Sequence, residues 1–226
     1  MLRLAARNGK LLRVPPIDML KDAPAREGFF EAHQYEAVRR RLPEDLRAAI
    51  TIAYTYGWRK SEILSLERRH LDLKAATLRL DPGSTKNGEG RTVYLTPEVK
   101  ELLAAQVKRV DTLQKKLGCI VPALFPHTTG RRAGQARRGF SKRWATVCKE
   151  VGVPGRLLHD FRRTAVRNLE RAGVARSVAM KITGHKTESV YRRYAIVSDA
   201  DLQEATRKLA GTIAGTVGQS SLTPPP

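Results

Sequence analysis

The most informative segment of this 226-residue sequence reads Leu157-Leu158-His159-Asp160-Phe161-Arg162-Arg163-Thr164. A helix is predicted to begin at Asp160, and the three-residue spacing of His159 and Arg162 places an imidazole and a guanidinium on one side of its first turn. Both groups can donate hydrogen bonds to phosphate oxygens, and the free amide groups at a helix start favour an anion at the same point. The segment indicates a phosphate site, but a histidine and an arginine at this spacing are a weak signal alone.

A second segment, residues 55–64, supplies another arginine. Gly57 is a predicted helix end, Arg59 follows it, and Glu62 lies three residues further on, where it could orient the Arg59 guanidinium on a helical turn. A surface ion pair is the common explanation for an isolated pair at this spacing. The pair by itself leaves both interpretations open.

A third segment carries a histidine and two tyrosines. Gly184 is a predicted helix end, His185 follows it, and Tyr191 and Tyr194 lie six and nine residues after His185. A tyrosine phenol has an ordinary pKa of about 10, so as a nucleophile it needs a nearby base or a strong positive field. The spacing of the two tyrosines allows them to share a helical face, and packing in the core is the alternative for Tyr191.

Between these segments the hydrophobic pattern changes from helical to alternating. Residues 76–80 and 92–95 predict two strands, and the turn-rich stretch from Asp81 to Gly90 predicts the connection of a small antiparallel sheet. Lys86 is expected on this turn or at a strand edge. A single lysine in a basic chain is ordinarily a solvated surface group.

Together, these segments resemble, in the same order, the active-site segments of tyrosine recombinases of the phage integrase family. Residues 55–64 correspond to the family's first arginine box, and residues 157–164 correspond to its second. Residues 84–93 correspond to the family's hairpin lysine segment. The spacing of nine residues from His185 to Tyr194 corresponds to that of its third box. The resemblance covers about Phe29 to Leu209. It implies the following catalytic residues: Arg59, Lys86, His159, Arg162, His185 and Tyr194.

The resemblance also implies a mechanism. Tyr194 would attack the scissile phosphorus, DNA would be held through a 3′-phosphotyrosine, and a 5′-hydroxyl would leave. His159 would act as base, Lys86 would protonate the departing oxygen, and the two arginines and His185 would donate hydrogen bonds to the nonbridging oxygens. No cofactor and no metal ion is expected, since no carboxylate cluster suited to a pair of magnesium ions accompanies these residues.

The expected fold class is α+β and mostly α-helical, a tyrosine recombinase catalytic domain with a small antiparallel β-sheet. Thr96 and Pro97 predict the start of a long helix, and Gly118 predicts its end. Periodic apolar positions, caps and glycine stops predict helices over residues 31–41, 44–56, 61–66, 97–117, 138–151, 160–172, 175–183 and 188–194.

Three parts are expected along the chain. Residues 1–27 mix Arg, Lys, Gly and prolines without steady periodicity, which is typical of a linker or an extended arm. Residues 28–217 would form the catalytic domain with a C-terminal helix, and residues 218–226, ending in three prolines, a disordered tail. Full integrases carry an N-terminal core-binding domain, and the sequence fits equally a catalytic fragment, a truncated gene and a naturally reduced member.

The composition favours a polyanionic partner. There are 42 Lys and Arg against 22 Asp and Glu, so the net charge is +20, which alone would also fit a ribosomal or nucleoid protein. Aromatic residues are only 6% of the chain and no apolar run has signal-peptide or bilayer-spanning length, so no membrane partner is expected and the location is cytoplasmic. Cys119 and Cys148 are isolated and expected to be reduced.

These expectations favour site-specific recombination of double-stranded DNA, integrating or excising phage or mobile-element DNA. Residues Leu202, Ala205, Leu209 and Ile213 predict a helix with an apolar face, which in related recombinases docks on a neighbouring subunit of a homotetramer on paired DNA sites. Packing of that face on its own domain is the alternative. The competing functions are type IB topoisomerase-like relaxation and a DNA-binding remnant that no longer cuts.

Overall fold

A computed structural model describes residues 2–15, 28–83, 88–195, 202–203, 205–207 and 209–210. The described α-helices are α1 (Leu2–Arg7), α2 (Ala32–Arg41), α3 (Glu44–Tyr56), α4 (Lys60–Leu64), α5 (Pro97–Leu117), α6 (Ser141–Glu150), α7 (Asp160–Arg171), α8 (Arg176–Thr183) and α9 (Glu188–Arg192). The strands are β1 (Leu71–Asp72), β2 (Thr77–Leu80) and β3 (Arg91–Tyr94). The predicted α+β, mostly helical fold is confirmed.

Helix α3 lies at the centre of the molecule. Its acidic first turn, Glu44 and Asp45, suits the positive end of the helix dipole, and Gly57 ends it at a left-handed φ of 67°. Most of its side chains are buried, as expected for a helix that is packed on more than one side. It packs against α5 and α7. The end of α3 is therefore held rigidly beside the start of α7.

An aromatic cluster fixes the approach to α7. Phe161, in its first turn, packs against Phe30, Tyr54 and Trp144, with ring centroids 4.5–5.6 Å apart. The Trp144 indole Nε1–H donates to the Arg156 carbonyl at 2.7 Å, which ties the loop before α7 to α6. Buried aromatic packing thus sets where His159 and Arg162 lie.

The three strands form one antiparallel sheet in the order β1-β2-β3. Leu78 pairs with Leu71 on one side and Val93 on the other, and both Leu78 and Val93 face the core. The register of β2 and β3 pairs Leu80 with Arg91, so β3 begins where the hairpin loop returns. Arg91 therefore lies at the end of the sheet that adjoins the hairpin loop.

The predicted helix boundaries agree with the structure to within a few residues. Helix α4 spans Lys60–Leu64 instead of residues 61–66, and the sheet contains one strand, β1, that was not predicted. Helix α6 begins at Ser141 instead of residue 138, and α9 ends at Arg192, so Tyr194 lies in the turn that follows it. Helix α1 forms where no periodic element was predicted, and it buries none of its residues. None of the helices in the described ranges has the length and apolar character needed to cross a bilayer.

Several predictions fall on residues that the structure does not describe. They are the loop with Lys86 (residues 84–87), the N-terminal residues 16–27, Ile213 of the predicted C-terminal helix and the tail 218–226. The described positions within 202–210 are helical, as predicted, and Leu202 and Leu209 there are 57% and 60% exposed.

Candidate active site

The candidate residues come together where the ends of α3 and α8 meet the start of α7. Five of the six predicted residues belong to the described structure, and hydrogen bonds or ring contacts link four of these directly: His159, Arg162, His185 and Tyr194. Arg59, at the N-terminus of α4, is close enough that its charge lowers the pKa of both His159 and Arg162. Lys86 lies outside the described residues.

Arg162 is the centre of this arrangement and is buried. Its Nη1 donates to the Gly57 carbonyl at 2.7 Å and to the Thr183 carbonyl at 2.5 Å, and Nη2 makes a long bond of 3.4 Å to the Gly184 carbonyl. Its Nε donates to His185 Nε2 at 3.1 Å. Burial, followed by the charge of Arg59, lowers the pKa of Arg162 to about 10, so it stays protonated at neutral pH.

His185 is engaged at both ring nitrogens. Because Nε2 accepts from Arg162, the proton of the neutral ring lies on Nδ1, which faces the Thr183 hydroxyl at 2.6 Å. That hydroxyl donates in turn to the Ala179 carbonyl at 2.8 Å. Burial, and then the charge of Arg162, lowers the pKa of His185 to about 3. The histidine is therefore neutral in this arrangement.

Arg59 is held by the carboxylate three residues away, as its spacing suggested. Glu62 is buried and accepts from Arg59 Nη1 at 2.8 Å and from the Arg59 backbone N–H at 2.9 Å. Although burial opposes ionisation, the charge of Arg91 and the bonds from Arg59 keep the pKa of Glu62 below its ordinary value. The Arg59 side chain itself is 24% exposed, so the protein does not enclose it fully.

The two tyrosines of the third segment have different environments. The Tyr194 hydroxyl is 3.2 Å from His159 Nε2, and its ring lies 5.0 Å from the ring of His185. Tyr191 is fully buried, and its ring lies 5.3 Å from the ring of His185. Burial raises the pKa of Tyr191 to about 12, which makes it a poor nucleophile. The structure therefore brings Tyr194, not Tyr191, to the histidine–arginine cluster.

His159 is exposed and lies close to the positive charges of Arg162 and Arg59. Desolvation of the ring, and then the charge of Arg162, lowers its pKa below the ordinary value of 6.5. At neutral pH it is therefore an uncharged imidazole, which is the form that can accept a proton.

The flanks of the Lys86 loop lie beside the same cluster. The Gly83 N–H donates to the Gly88 carbonyl at 3.0 Å, which closes the neck of the loop. Lys186, which follows His185, lies 3.3 Å from the Glu89 carboxylate. The hairpin is thus anchored next to the third segment.

Sequence reasoning missed three residues that build this site: Trp58, Arg91 and Thr183. The Trp58 Nε1–H donates to the Ile182 carbonyl at 2.9 Å and joins the first segment to α8. Arg91 forms an ion pair with Glu62 across the sheet edge. A signal was present for Arg91, because it lies between the glycine-rich turn and the predicted strand 92–95, but nothing local indicated its partner.

A cavity of about 570 Å³ borders the cluster at Arg59 and His159. Apolar side chains such as Trp144 and Leu158 line it together with Lys60 and Arg156. In the described part of the chain, no group of three or more His, Cys, Asp or Glu side chains is arranged to hold a metal ion.

Known proteins resemble this chain in sequence. The model of the phage integrase family matches residues 29–201. The integrase of Salmonella phage P22 is 24% identical over 213 residues, which cover 92% of this chain and 54% of the phage protein. The chain spans about half the length of the curated relatives that it matches.

Two solved structures show the same fold. The XerA recombinase superposes with a TM-score of 0.65 at 18% identity, covering 91% of this chain and 72% of that one. The Tn1549 transposon integrase, solved in complex with circular intermediate DNA, superposes with a TM-score of 0.67 at 16% identity, covering 90% and 74%. At these identities the likeness concerns the fold alone.

Proposed function

This chain belongs to the phage integrase family of tyrosine recombinases, and from that premise we propose that it catalyses site-specific DNA recombination through a 3′-phosphotyrosine intermediate on Tyr194. The observation that carries the proposal is the 3.2 Å contact between the Tyr194 hydroxyl and His159 Nε2. This is hydrogen-bond distance, and it joins a phenol to an imidazole that is neutral at physiological pH.

The cleavage step follows from this contact. The Tyr194 oxygen attacks the scissile phosphorus while its proton passes to His159 Nε2, and a phosphorus–oxygen bond to tyrosine forms. The bond from phosphorus to the 5′-oxygen breaks, and that oxygen keeps the electron pair and takes a proton from Lys86. The energy of the phosphodiester is conserved in the new ester, so a second 5′-hydroxyl can reverse the step on another strand.

The cationic residues would stabilise the negative charge that grows on the nonbridging oxygens. Arg59 has a partly exposed side chain for this purpose. Arg162 contributes chiefly through Nη2, because its bond to the Gly184 carbonyl is long at 3.4 Å, whereas Nη1 and Nε are bonded more closely to the protein. For His185 to donate from Nε2, that nitrogen must leave Arg162 and take up a proton, which an incoming phosphate charge favours.

The proposed partner is double-stranded DNA, and the proposed assembly is a homotetramer on paired DNA sites. The net charge of +20 supports a polyanionic partner, and the Tn1549 integrase with the same fold was solved with DNA. The exposed Leu202 and Leu209 support a C-terminal helix that docks on a neighbouring subunit. The proposal places the reaction in the cytoplasm, with integration or excision of mobile DNA as its outcome.

The test is covalent capture of DNA. Purified protein in EDTA is incubated with a nicked suicide duplex carrying a candidate attachment-site core, and adducts are resolved on a denaturing gel. We expect an adduct with wild type and with Tyr191→Phe, and none with Tyr194→Phe. The Tyr191 variant is the matched control, because it removes a buried phenol three residues away.

A nick that EDTA abolishes, or an adduct that survives Tyr194→Phe, would contradict the proposal. Because the relatives are about twice as long, the assay is repeated with the core-binding region of the P22 integrase fused to the N-terminus. Failure of both proteins to form an adduct, with DNA binding intact, would favour a non-cutting DNA-binding role.

A further inference from the structure

Arg91 is a buried charged residue at the site that the proposed mechanism does not use. It is the first residue of β3, its side chain is only 9% exposed, and its guanidinium lies 4.9 Å from the Trp58 ring centroid. A guanidinium is stabilised there by stacking on the indole. A buried arginine of this kind normally has a specific carboxylate partner.

That partner is the carboxylate that holds Arg59. One Glu62 oxygen accepts from Arg59 Nη1, and the other accepts from the Arg59 backbone N–H and from Arg91 Nη2. Two guanidinium groups therefore share one carboxylate, and the three side chains carry a net charge of +1. Without Arg91, Glu62 would face Arg59 alone, and the pair would be neutral.

Arg91 also touches the segment that carries His185. Its guanidinium packs against Gly184 so closely that a Cβ atom at position 184 would collide with Arg91 Nη1. Gly184 has a left-handed φ of 69° and ends α8. One side chain thus contacts the first segment through Trp58 and Glu62, and the third segment through Gly184.

We propose that Arg91 is a positioning residue, which takes up one oxygen of the Glu62 carboxylate so that Glu62 orients Arg59 without neutralising it. The phosphate then meets a guanidinium that is fixed in direction and still carries an uncompensated positive charge. This inference rests on the proposed function, because Arg59 is assigned there to the scissile phosphate. Arg91 itself is not assigned any contact with DNA.

The test measures binding of a single phosphate charge, without cleavage. All variants are made in the Tyr194→Phe background, and DNA affinity is compared between a duplex and matched duplexes in which each central phosphate is replaced in turn by a methylphosphonate. The dissociation constant of each methylphosphonate duplex is divided by that of the unmodified duplex. At the scissile position, this ratio reports how strongly the site uses the charge of that phosphate. Substitution of a residue that only maintains folding would change the affinity for the unmodified and the methylphosphonate duplexes equally.

We expect Arg91→Met, which retains length and packing on Trp58, to reduce this ratio by about tenfold, the order expected for one hydrogen bond to a charged group. Arg91→Gln is a second neutral variant, which keeps a hydrogen-bond donor for Glu62. It is used if the Arg91→Met variant folds poorly. Arg109→Ala, which removes a charge on α5 paired with Glu44, is the control and should leave the ratio unchanged.

The double variant Glu62→Gln/Arg91→Met provides the decisive comparison. It removes the carboxylate together with its second partner, so Arg59 regains its uncompensated charge and the ratio should recover. A ratio unchanged by Arg91→Met and Arg91→Gln, or no recovery in the double variant, would overturn the role of Arg91 alone. No discrimination by the background protein at any phosphate would instead overturn the phosphate site of the proposed function, and this role with it.

Discussion

The residues of the site differ in how deeply they are buried and in how far their polar atoms are already hydrogen-bonded to the protein. The Arg59 side chain is partly exposed, whereas Arg162 and His185 are buried and bonded to each other. His185 is neutral because protonation would place a charge in a buried environment beside Arg162. This has a measurable consequence for the stability of the protein.

We expect His185 to destabilise the fold as the pH falls. In the unfolded chain a histidine takes up a proton near pH 6.5, while in the folded protein the pKa of His185 is about 3. Between these values the unfolded state binds the proton and the folded state does not, so the free energy of unfolding decreases by up to about 1.4 kcal/mol per pH unit. Above pH 6.5 this contribution is constant.

Urea unfolding at several pH values between about 7 and 5 measures this slope. The range keeps most carboxylates ionised, and His185→Gln is the comparison because it removes the titrating ring and keeps hydrogen-bonding groups. We expect a shallower pH dependence in the variant. Equal slopes in both proteins would show that His185 titrates normally in the folded state.

At the residue scale, sequence reasoning named four side chains that the structure brings into contact, His159, Arg162, His185 and Tyr194, but not how each is bonded. It assigned Arg59 and Arg162 the same role, because both belong to recognisable segments. The bonds that distinguish Arg162 go to the Gly57 and Thr183 carbonyls, 105 and 21 residues away. Backbone carbonyls carry no signature in the side-chain pattern, so this difference could not be predicted.

At the scale of secondary structure elements, Arg162 joins three helices. It projects from the first turn of α7 and bonds the carbonyls at the ends of α3 and α8. These carbonyls lie where helices end and have no continuing helical partner, so the arginine satisfies them. The same side chain therefore supports the fold and belongs to the proposed phosphate site.

We expect Arg162→Ala to lower the free energy of unfolding by about 3 kcal/mol, because it removes the donor for two buried carbonyls at roughly 1–3 kcal/mol each. Urea unfolding with Arg163→Ala as the control measures this, since the neighbouring Arg163 is half-buried and makes none of these carbonyl bonds. A loss for Arg162→Ala no larger than that of the control would contradict the bridging role.

Element ends were predicted well because their signals are local. Gly57, Gly118 and Gly184 were expected to end helices, and all three do so with a left-handed φ of 65–69°. The Thr96 side chain caps α5 by accepting from the Val99 N–H, also as predicted. The ion pair between Arg91 and Glu62 spans 29 residues and joins a strand to a helix, so no local pattern could indicate it.

For the whole molecule, the fold assembles one site from segments that are far apart in sequence. The central helix α3 and the aromatic cluster around Phe161 hold the first and second segments together. The third segment joins them through α8, and Tyr194 completes the cluster. The chain as a whole carries a net charge of +20, which favours a polyanionic partner.

The most direct measurement is to identify the amino acid that becomes attached to DNA. The adduct from the suicide duplex is digested with nuclease and trypsin, and the modified peptide is sequenced by mass spectrometry. Trypsin separates the two tyrosines, since cleavage after Lys186, Arg192 and Arg193 leaves Tyr191 in peptide 187–192 and Tyr194 in peptide 194–207. We predict the nucleotide phosphate on Tyr194, whereas attachment to Tyr191, or to any other residue, would contradict the assignment of Tyr194 as the nucleophile.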